Sequence, residues 1–551
     1  MTHDPHANDG EPPLADGPAD DREQRANAPA DNEAQPEPDD HAPAGGEQAE
    51  VPDGTGAFPV VAIGASAGGL EALLAFFRKV PDEPGIAFVV ITHVHPDRQT
   101  MLPELLGKVT GLPVTRSEDG APLEPNQVVV AKDALVTLSQ GRLAHVPADD
   151  HDARSHHPID HFFRALADDR HERAICVVLS GSGNDGTLGL KAVKAAGGMV
   201  MVQVPDTAGS TGMPDSARAT GLADYVLPPG DMPDALLRYC RGPFLRRAER
   251  RERPPLPEDA IQAILVRLRA HTGQDFTCYK RSTMSRRIER RMNVHHIDAP
   301  QAYLQYLREN PGELNALLQE LLISVTSFFR DPEAWDALAE RALPELLRGC
   351  DDGQTVRAWV PGCATGEEAY SLAILLHEQM RKAACVHEVQ IFATDLDGGA
   401  IEGARAGLYP GGIAADVNRE RLGRYFSQED GAYRIHKPIR DMITFAEQNV
   451  LSDPPFTRLD LIVCRNLLIY LKPPAQQRVL PTFHYALRPG GLLFLGTSET
   501  MGEASELFEP LDTKNKVFRR REGPSAGHPA PLAAPGGARA PAGAAGEAEP
   551  Q

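Results

Sequence analysis

The chain has 551 residues and a formal net charge of -21, and this length predicts two or three domains rather than one hydrophobic core. No stretch approaches the ~18–20 consecutive apolar residues of a membrane span, and the N-terminus lacks the basic and then apolar pattern of a secretory signal. The seven cysteines are scattered and include no C-x-x-C pair. We therefore expect a cytoplasmic protein with no membrane insertion and no metal centre.

Much of the negative charge lies in one segment. Residues 1–57 contain fifteen acidic residues against two arginines and are rich in Ala, Pro and Gly, a composition that cannot bury enough apolar surface to offset its ordering entropy. We predict a disordered acidic tail over 1–57 and a second disordered tail over 523–551. The remaining charge argues against a nucleic-acid binder.

Short apolar runs alternate with helix-like stretches from residue 58 to residue 240. The first, PVVAIGASAGGLEALLAFF at 59–77, passes from an apolar strand through a glycine-rich turn into a helix-period run, and AICVVLSG at 174–181 is a later strand. This alternation favours a parallel sheet covered by helices on both faces. We predict a doubly wound α/β domain over 58–240, followed by an exposed linker rich in Arg and Pro over 241–257.

The second half of the chain begins with helices and ends as α/β structure. Residues 258–330 show helical periodicity only, including the basic segment YKRSTMSRRIERRM at 279–292. From TVRAWVPGCATGEEAYSLAILL at 355–376 the pattern of strand, glycine turn and helix resumes. The sequence therefore predicts a helical cap over 258–330 and a second doubly wound α/β domain over 331–522.

The segment GASAG at 64–68 matches the pattern G-x-S-x-G, in which a serine on a tight strand-to-helix turn exposes its hydroxyl above the sheet edge. A nucleophilic serine needs a base and a carboxylate that orients the base. His93 and His95 follow the second strand, and Asp185 follows a later one, so a triad with Ser66 is favoured. The alternatives are a phosphate-binding turn for the glycines and a helix N-cap for Asp185.

Five segments of the first domain carry a resemblance to a known family. They are GASAGGLEAL, ITHVHPD, PIDHFFRALA, LSGSGNDGTLGLKAVKAAGG and GMPDSARATG, and together they resemble the catalytic domain of chemotaxis-type protein-glutamate methylesterases. The resemblance implies a catalytic triad of Ser66, His93 and Asp185, with His93 preferred to His95. It also implies an oxyanion-hole N–H at Ser182 and hydrolysis of glutamate γ-methyl esters, with glutamine deamidation as a second candidate reaction.

A second glycine turn lies in VPGCATGEE at 360–368, and Asp395 ends the next strand. An acidic residue roughly 20 to 30 positions after such a turn suits a ribose, so a nicotinamide cofactor and S-adenosylmethionine both fit. The pattern G-x-G-x-x-G is absent, and the looser G-x-x-x-G offers no pyrophosphate cradle. The glycine spacing therefore favours S-adenosylmethionine.

The second half of the chain carries its own resemblance. ISVTSFFRD, VPGCATGEEAYSLA, IFATDLD, QNVLSDPPF and LIVCRNLLIYL resemble chemotaxis-type protein-glutamate O-methyltransferases over about residues 258–521. The resemblance implies a class I, Rossmann-like fold, S-adenosylmethionine as cofactor, Tyr470 near the transfer site and a small β-insertion near 402–440 that binds a receptor tail. The residues implied to contact the cofactor are Ser324, Thr326, Arg330, Glu367, Asp395, Asn449, Val450, Arg465 and Asn466.

The basic segment is the candidate for contact with a protein substrate. Its cationic residues could dock acidic receptor helices, and we place Arg287 and Arg291 on the substrate side; a solvated basic face is the alternative. The two resemblances together predict a bifunctional signalling enzyme that methylates glutamates of a chemotaxis-type receptor and hydrolyses the resulting esters. The rival reading is a scaffold that keeps the two pockets only for ligand or receptor docking.

Overall fold

The computed structural model describes residues 58–93, 101–131, 135–146, 157–249, 256–323, 325–349 and 353–523. The tail predicted over 1–57 lies outside the described residues, as does the tail predicted over 523–551 beyond its first residue. His95 and Ser324 also lie outside them. None of the described helices combines the length and the apolar character needed to cross a membrane.

The first domain is built on a seven-stranded sheet whose strands are parallel to their neighbours. The described strands are β1 (Val60–Ala65), β2 (Ala87–Thr92), β3 (Val114–Arg116), β4 (Gln127–Val130), β5 (Val136–Ser139), β6 (Arg142–His145), β7 (Ala174–Val178), β8 (Met199–Gln203) and β9 (Tyr225–Leu227). The sheet order is β3-β4-β2-β1-β7-β8-β9, and β5 and β6 form a separate antiparallel pair.

Helices cover both faces of this sheet. The described helices are α1 (Gly69–Phe77), α2 (Leu102–Leu106), α3 (Pro158–Arg170), α4 (Thr187–Ala195), α5 (Gly212–Ala219) and α6 (Met232–Cys240). Alternate residues of β1 face opposite sides: Val61 and Ile63 pack with α1 and α6, whereas Val60 and Ala62 pack with α3 and α4. Burial on both faces explains the continuous apolar strand sequences.

The segment 241–257 differs from the predicted exposed linker. Pro243–Glu249 form helix α7, and Phe244 and Leu245 are buried against the α1 and α6 face of the first domain. Two buried apolar side chains are enough to hold this short helix against the domain. The many arginines around them hide any apolar periodicity in the sequence, so the helix was not predicted.

Helices follow in the predicted cap. They are α8 (Glu258–Thr272), α9 (Arg281–Val294), α10 (Pro300–Glu309) and α11 (Pro311–Leu322). The helical structure ends at Leu322 and does not reach residue 330 as expected. Ile323 has already left the helical conformation, with φ -52° and ψ 114°, and it begins a stretch rich in β-branched residues, which lower helix propensity.

The second α/β domain has a mixed seven-stranded sheet of order β15-β11-β10-β16-β17-β19-β18. Its described strands are β10 (Val356–Pro361), β11 (Val389–Asp395), β15 (Ile443–Glu447), β16 (Leu459–Cys464), β17 (Leu487–Leu495), β18 (Phe508–Asp512) and β19 (Val517–Arg520). The first five in this spatial order are parallel, and β19 is antiparallel to both of its neighbours. The predicted fold class, two doubly wound α/β domains with a helical region between them, is confirmed.

The helices of this domain and a small inserted sheet complete the described structure. The helices are α12 (Pro332–Ala337), α13 (Leu343–Arg348), α14 (Glu367–Ala383), α15 (Gly398–Ala406), α16 (Arg419–Tyr425), α17 (Lys437–Arg440) and α18 (Pro473–Ala486). The small sheet is antiparallel and consists of β12 (Leu408–Pro410), β13 (Phe426–Glu429) and β14 (Ala432–Ile435). It lies within the segment where the β-insertion was expected.

A buried ion cluster joins α9 to the first domain. Arg290, which is fully buried, donates to Asp224 and lies 2.8 Å from Glu320 on α11. Lys194 on α4 also pairs with Asp224 and lies 3.2 Å from Glu320. Arg287 also lies 3.3 Å from Glu320, and Arg291 lies 3.7 Å from Asp224, so each buried carboxylate has several compensating cations.

The prediction that Arg287 and Arg291 contact a substrate is wrong. Arg287 is 5% exposed and donates to the Lys194 carbonyl and to Glu320, at 3.2 and 3.3 Å. Arg291 is 8% exposed and donates to Glu313 at 2.9 Å. The middle of the basic helix is therefore neither a receptor surface nor a solvated face, because buried carboxylates neutralise it within the chain.

Replacement of Arg290 by methionine is expected to lower the apparent free energy of unfolding by about 3–5 kcal/mol, because Asp224, Glu320 and the Gly198 carbonyl would lose the buried hydrogen bonds that Arg290 donates. Urea unfolding followed by circular dichroism measures the change. Arg286→Met is the matched control on the same helix, since the Arg286 side chain is 42% exposed and surface pairs contribute about 0–1 kcal/mol. Equal losses in the two variants would contradict the assignment.

Candidate active sites

Ser66, His93 and Asp185 meet at the carboxyl edge of the first sheet. Ser66 follows β1 and His93 follows β2, while Asp185 lies beyond β7, and β1 is the strand between the other two. The three residues line one cavity of about 640 Å³. The structure therefore brings together the residues that the sequence predicted as a triad, although their catalytic role remains a prediction.

The Asp185 carboxylate is aimed at His93 by a helix N-terminus. His93 Nε2 lies 3.0 Å from Asp185 Oδ2, and the Asp185 side chain is 3% exposed. The first-turn amides of Ile159 and Asp160 on α3 donate to Asp185 at 3.0 and 2.8 Å, and the helix dipole favours the negative charge there. The residue at the N-cap of α4 is Gly186, so Asp185 does not serve as that cap.

The serine turn is held close to a second glycine-rich loop. Ser66 N donates to the Ser180 carbonyl at 2.9 Å. A Cβ at Gly181 would collide with the Met213 sulfur and would lie 3.0 Å from Ser66 Cβ, so only glycine lets this loop approach the serine. Ser182 follows directly and lines the cavity; its role as an oxyanion-hole donor stays a prediction.

His157 and Asp160 lie beside the triad and were not predicted from the sequence. His157 Nδ1 is 3.8 Å from Asp185 Oδ1, and Asp160, which is 2% exposed, accepts from Gly189 N at 2.7 Å. Burial and the nearby charge of Asp185 raise the pKa of Asp160 to about 8. A protonated Asp160 therefore places a neutral group, rather than a second negative charge, beside Asp185.

Potential metal-binding atoms of His157, Asp160 and Asp185 lie within 4.8 Å of one another. Both oxygens of Asp185 already accept hydrogen bonds from backbone amides, which accounts for the arrangement as an orienting network. The absence of a metal centre remains a prediction.

Asp160→Asn is expected to remove one component of the pH dependence of stability. Between its ordinary pKa of 3.8 and about 8, Asp160 is ionised in the unfolded chain but protonated in the folded one, so its contribution to stability falls as pH rises through this window. The variant should match the wild type near pH 4 and exceed it in melting temperature near pH 8. Asp206→Asn, at an exposed position, is the control. Parallel pH profiles for wild type and Asp160→Asn would contradict the raised pKa.

The glycine turn of the second domain is tied to Asp395. Ala364 N donates to Asp395 Oδ2 at 2.8 Å, and Asp397 N donates to Oδ1 at 3.0 Å. Burial raises the pKa of Asp395. The carboxylate therefore stands at the end of β11 directly beside the turn that leads to α14, where a ribose was expected to bind.

Glu367 is a buried carboxylate at the start of α14. It is 3% exposed and accepts from Thr365 Oγ1 at 2.6 Å, and it forms no ion pair with any described residue. Burial raises the pKa of Glu367. The charge of Lys191 favours the ionised form but forms no ion pair with Glu367, so this buried carboxylate suits the ammonium group of an amino-acid ligand.

Three of the residues implied to contact the cofactor, Thr326, Arg330 and Glu367, line a second cavity of about 1050 Å³. The cavity lining does not include four other described residues, which lie at strand ends on the same carboxyl edge of the sheet: Asp395 ends β11, Asn449 and Val450 follow β15, and Asn466 follows β16. Asn449 Nδ2 donates to Gln274 Oε1 at 3.2 Å. The half-buried Tyr470 accepts from Lys280 N through its carbonyl, at 2.9 Å.

Arg465 has a different place from the one expected. Its guanidinium donates to the Arg330 carbonyl at 2.9 Å and to Asp331 at 2.7 Å, and it packs over the rings of Trp335 and Phe494. Its side chain is fully buried. Arg465 therefore fastens the loop that carries Arg330, and because its side chain is fully buried, the prediction that it contacts the cofactor directly is not supported.

The two folds and their sites define a serine hydrolase domain joined to a methyltransferase domain. Three family models match in this order: "CheB methylesterase" over residues 61–236, "CheR methyltransferase, all-alpha domain" over 259–322, and "CheR methyltransferase, SAM binding domain" over 324–517. The cofactor of the second domain is S-adenosylmethionine, as the sequence predicted.

Similar proteins include chemotaxis protein methyltransferase 2 of Vibrio cholerae, 32% identical over 46% of this chain and 87% of that protein. An uncharacterized 104.1 kDa protein of the hypE 3' region of Rhodobacter capsulatus is 39% identical over 75% of this chain, and the match spans 46% of that protein. The chain belongs to the CheR chemotaxis methyltransferase family and carries a CheB methylesterase domain. The Thermotoga maritima CheB methylesterase catalytic domain is 28% identical over 33% of this chain and 97% of its own, with a TM-score of 0.30.

Proposed function

We propose that this chain is a bifunctional enzyme that methylates glutamate side chains of a chemotaxis-type receptor and hydrolyses the resulting methyl esters. The observation that carries the proposal is the presence, on one chain, of an oriented Ser66, His93 and Asp185 arrangement and of a separate cavity that contains the unpaired carboxylate of Glu367. A scaffold would require neither feature. We further propose that the protein acts in the cytoplasm, where such receptors expose their modified glutamates.

In the hydrolase site, Asp185 holds the proton of His93 on Nε2, which leaves Nδ1 as the base. His93 takes the proton of Ser66 as the serine oxygen bonds to the ester carbonyl carbon, and the carbonyl oxygen becomes an oxyanion facing the Ser182 N–H. The bond between the carbonyl carbon and the methoxy oxygen then breaks. His93 protonates the leaving methoxide, which gives methanol. Water, activated by His93 in the same way, releases the glutamate from Ser66.

In the transferase site, the residues of this chain would bind and orient the two substrates. Glu367 would hold an ammonium group, and Asp395 would hold the ribose hydroxyls. Thr326 and Arg330 would border the cofactor in the cavity that contains Glu367. S-adenosylmethionine, when bound, supplies a methyl group that passes to a carboxylate oxygen while the sulfur keeps the bonding electron pair. No proton transfer is needed, because a glutamate carboxylate is already a nucleophile, so positioning and electrostatics dominate.

Titration calorimetry of S-adenosylmethionine and S-adenosylhomocysteine into the full chain tests the transferase half, and release of methanol from a methylated receptor fragment tests the hydrolase half. We expect micromolar binding of both ligands and methanol release. A folded wild-type protein with neither property would overturn the proposal in favour of the scaffold.

A further inference from the structure

Helix α4 belongs to the methylesterase domain, yet it lines the methyltransferase cavity. Thr187, Leu188 and Lys191 of α4 form part of the wall of the cavity that also contains Arg330 and Glu367. Leu188 packs against the core of the methyltransferase domain. The methylesterase domain thus forms part of the wall of the methyltransferase cavity.

Direct contacts fix this wall in place. Arg164 on α3 donates to both oxygens of Asp416 at 2.8 and 3.3 Å, and Asn184 donates to the Gly431 carbonyl at 3.3 Å. A Cβ at Gly412 would collide with Asp160 and would lie 3.0 Å from Leu188 Cδ1. The first domain therefore sits tightly against the insertion that contains the small β-sheet.

Most of the charged groups that line this cavity have partners within the chain. Arg164 pairs with Asp416, Asp331 pairs with Arg465, and Asp397 accepts from the first amides of α15. Lys191 differs, because it is half-buried, lines the cavity and forms no ion pair or hydrogen bond with the described residues. Its charge favours the ionised form of Glu367, which lines the same cavity.

We propose that Lys191 binds the γ-carboxylate of the acceptor glutamate in the methyltransferase site. The inference rests on the proposed function. The acceptor is an anion before transfer and a neutral ester afterwards, so an ammonium group favours the substrate over the product. Arg330 lines the same cavity and uses one of its five guanidinium N–H groups to donate to the Val325 carbonyl at 2.9 Å, so it could bind the acceptor beside Lys191. A residue of the methylesterase domain would then select the substrate of the methyltransferase.

The test uses the full chain saturated with S-adenosylhomocysteine and two alanine-based helical peptides, which carry a single central glutamate or a glutamine in its place. We expect the wild type to bind the glutamate peptide more tightly than the glutamine peptide. Lys191→Met should weaken glutamate-peptide binding about tenfold, as for loss of one charge-assisted hydrogen bond, and should leave glutamine-peptide binding unchanged. Lys191→Arg should restore the preference.

Lys79→Met, at an exposed lysine on the same domain, is the matched control and should behave as the wild type. Hydrolysis of the corresponding methyl-ester peptide should be unchanged in Lys191→Met, which shows that the methylesterase domain is folded. Equal discrimination in wild type and Lys191→Met, or none in the wild type, would overturn the role of Lys191. Failure of the wild type to bind S-adenosylhomocysteine would instead overturn the proposed function.

Discussion

Ser66→Ala is expected to abolish ester hydrolysis, lowering kcat by about 10⁴-fold or more, because the hydroxyl that forms the covalent bond to the ester carbon would be missing. Methyl transfer should be unaffected, since Ser66 lies in a different cavity from Glu367. Methanol release from a methylated receptor fragment measures the first reaction, and incorporation of labelled methyl groups measures the second.

Ser139→Ala is the control for Ser66, because Ser139 is an exposed serine at the end of β5 in the same domain. It should retain hydrolysis at the wild-type rate. Substantial ester hydrolysis by Ser66→Ala would mean that the triad is not the catalytic group, whatever its geometry.

Glu367→Gln is expected to weaken S-adenosylmethionine binding about 100-fold. The substitution keeps an acceptor for Thr365 but removes the buried charge that would pair with the ligand's ammonium group. Titration calorimetry gives the dissociation constants, and methyl transfer at fixed ligand concentration should fall in parallel.

Glu368→Gln provides a control at the adjacent position. Burial raises the pKa of Glu368 to about 7, so glutamine resembles the form that is already well populated, and Glu368 is not part of the cavity lining. This variant should bind the ligand as the wild type does. If the two variants lose affinity equally, Glu367 has no specific contact with the ammonium group.

The parts of the sites that the sequence predicts are those that follow strands. Ser66, His93 and Asp185 each come after an apolar run, and parallel strands end at the same edge of a sheet, so their meeting follows from the alternation of strands and helices. The same reasoning places Asp395 beside the glycine turn. Local sequence is sufficient to place these residues, because each follows a parallel strand and all such strands end at the same edge of the sheet.

Residues whose partners are distant in sequence were placed wrongly. The basic pattern of α9 suggested a receptor surface, but the partners of Arg290 are Asp224 and Glu320, which no local pattern connects with it. Arg465 was assigned to the cofactor, although it is bonded to the loop at 330–331. A single sequence shows a charge but not the opposite charge that neutralises it in the fold.

The sequence also did not predict that the two cavities lie close together. Asn184 lines both of them, and residues of the inserted segment such as Arg419 and Tyr433 line the methylesterase cavity. In the sequence the two domains are successive segments with no visible contact. In the fold they pack against each other, and this packing determines which surfaces a protein substrate can reach.

The most direct measurement follows one methyl group through both reactions. Full-length protein is incubated with a receptor cytoplasmic fragment and S-adenosylmethionine labelled in its methyl group, and volatile labelled methanol is collected. The account predicts methanol from the wild type, labelled fragment without methanol from Ser66→Ala, and markedly less of both products from Glu367→Gln. Methanol release that persists in Ser66→Ala, or a wild type that labels no fragment, would contradict two opposing activities on one chain.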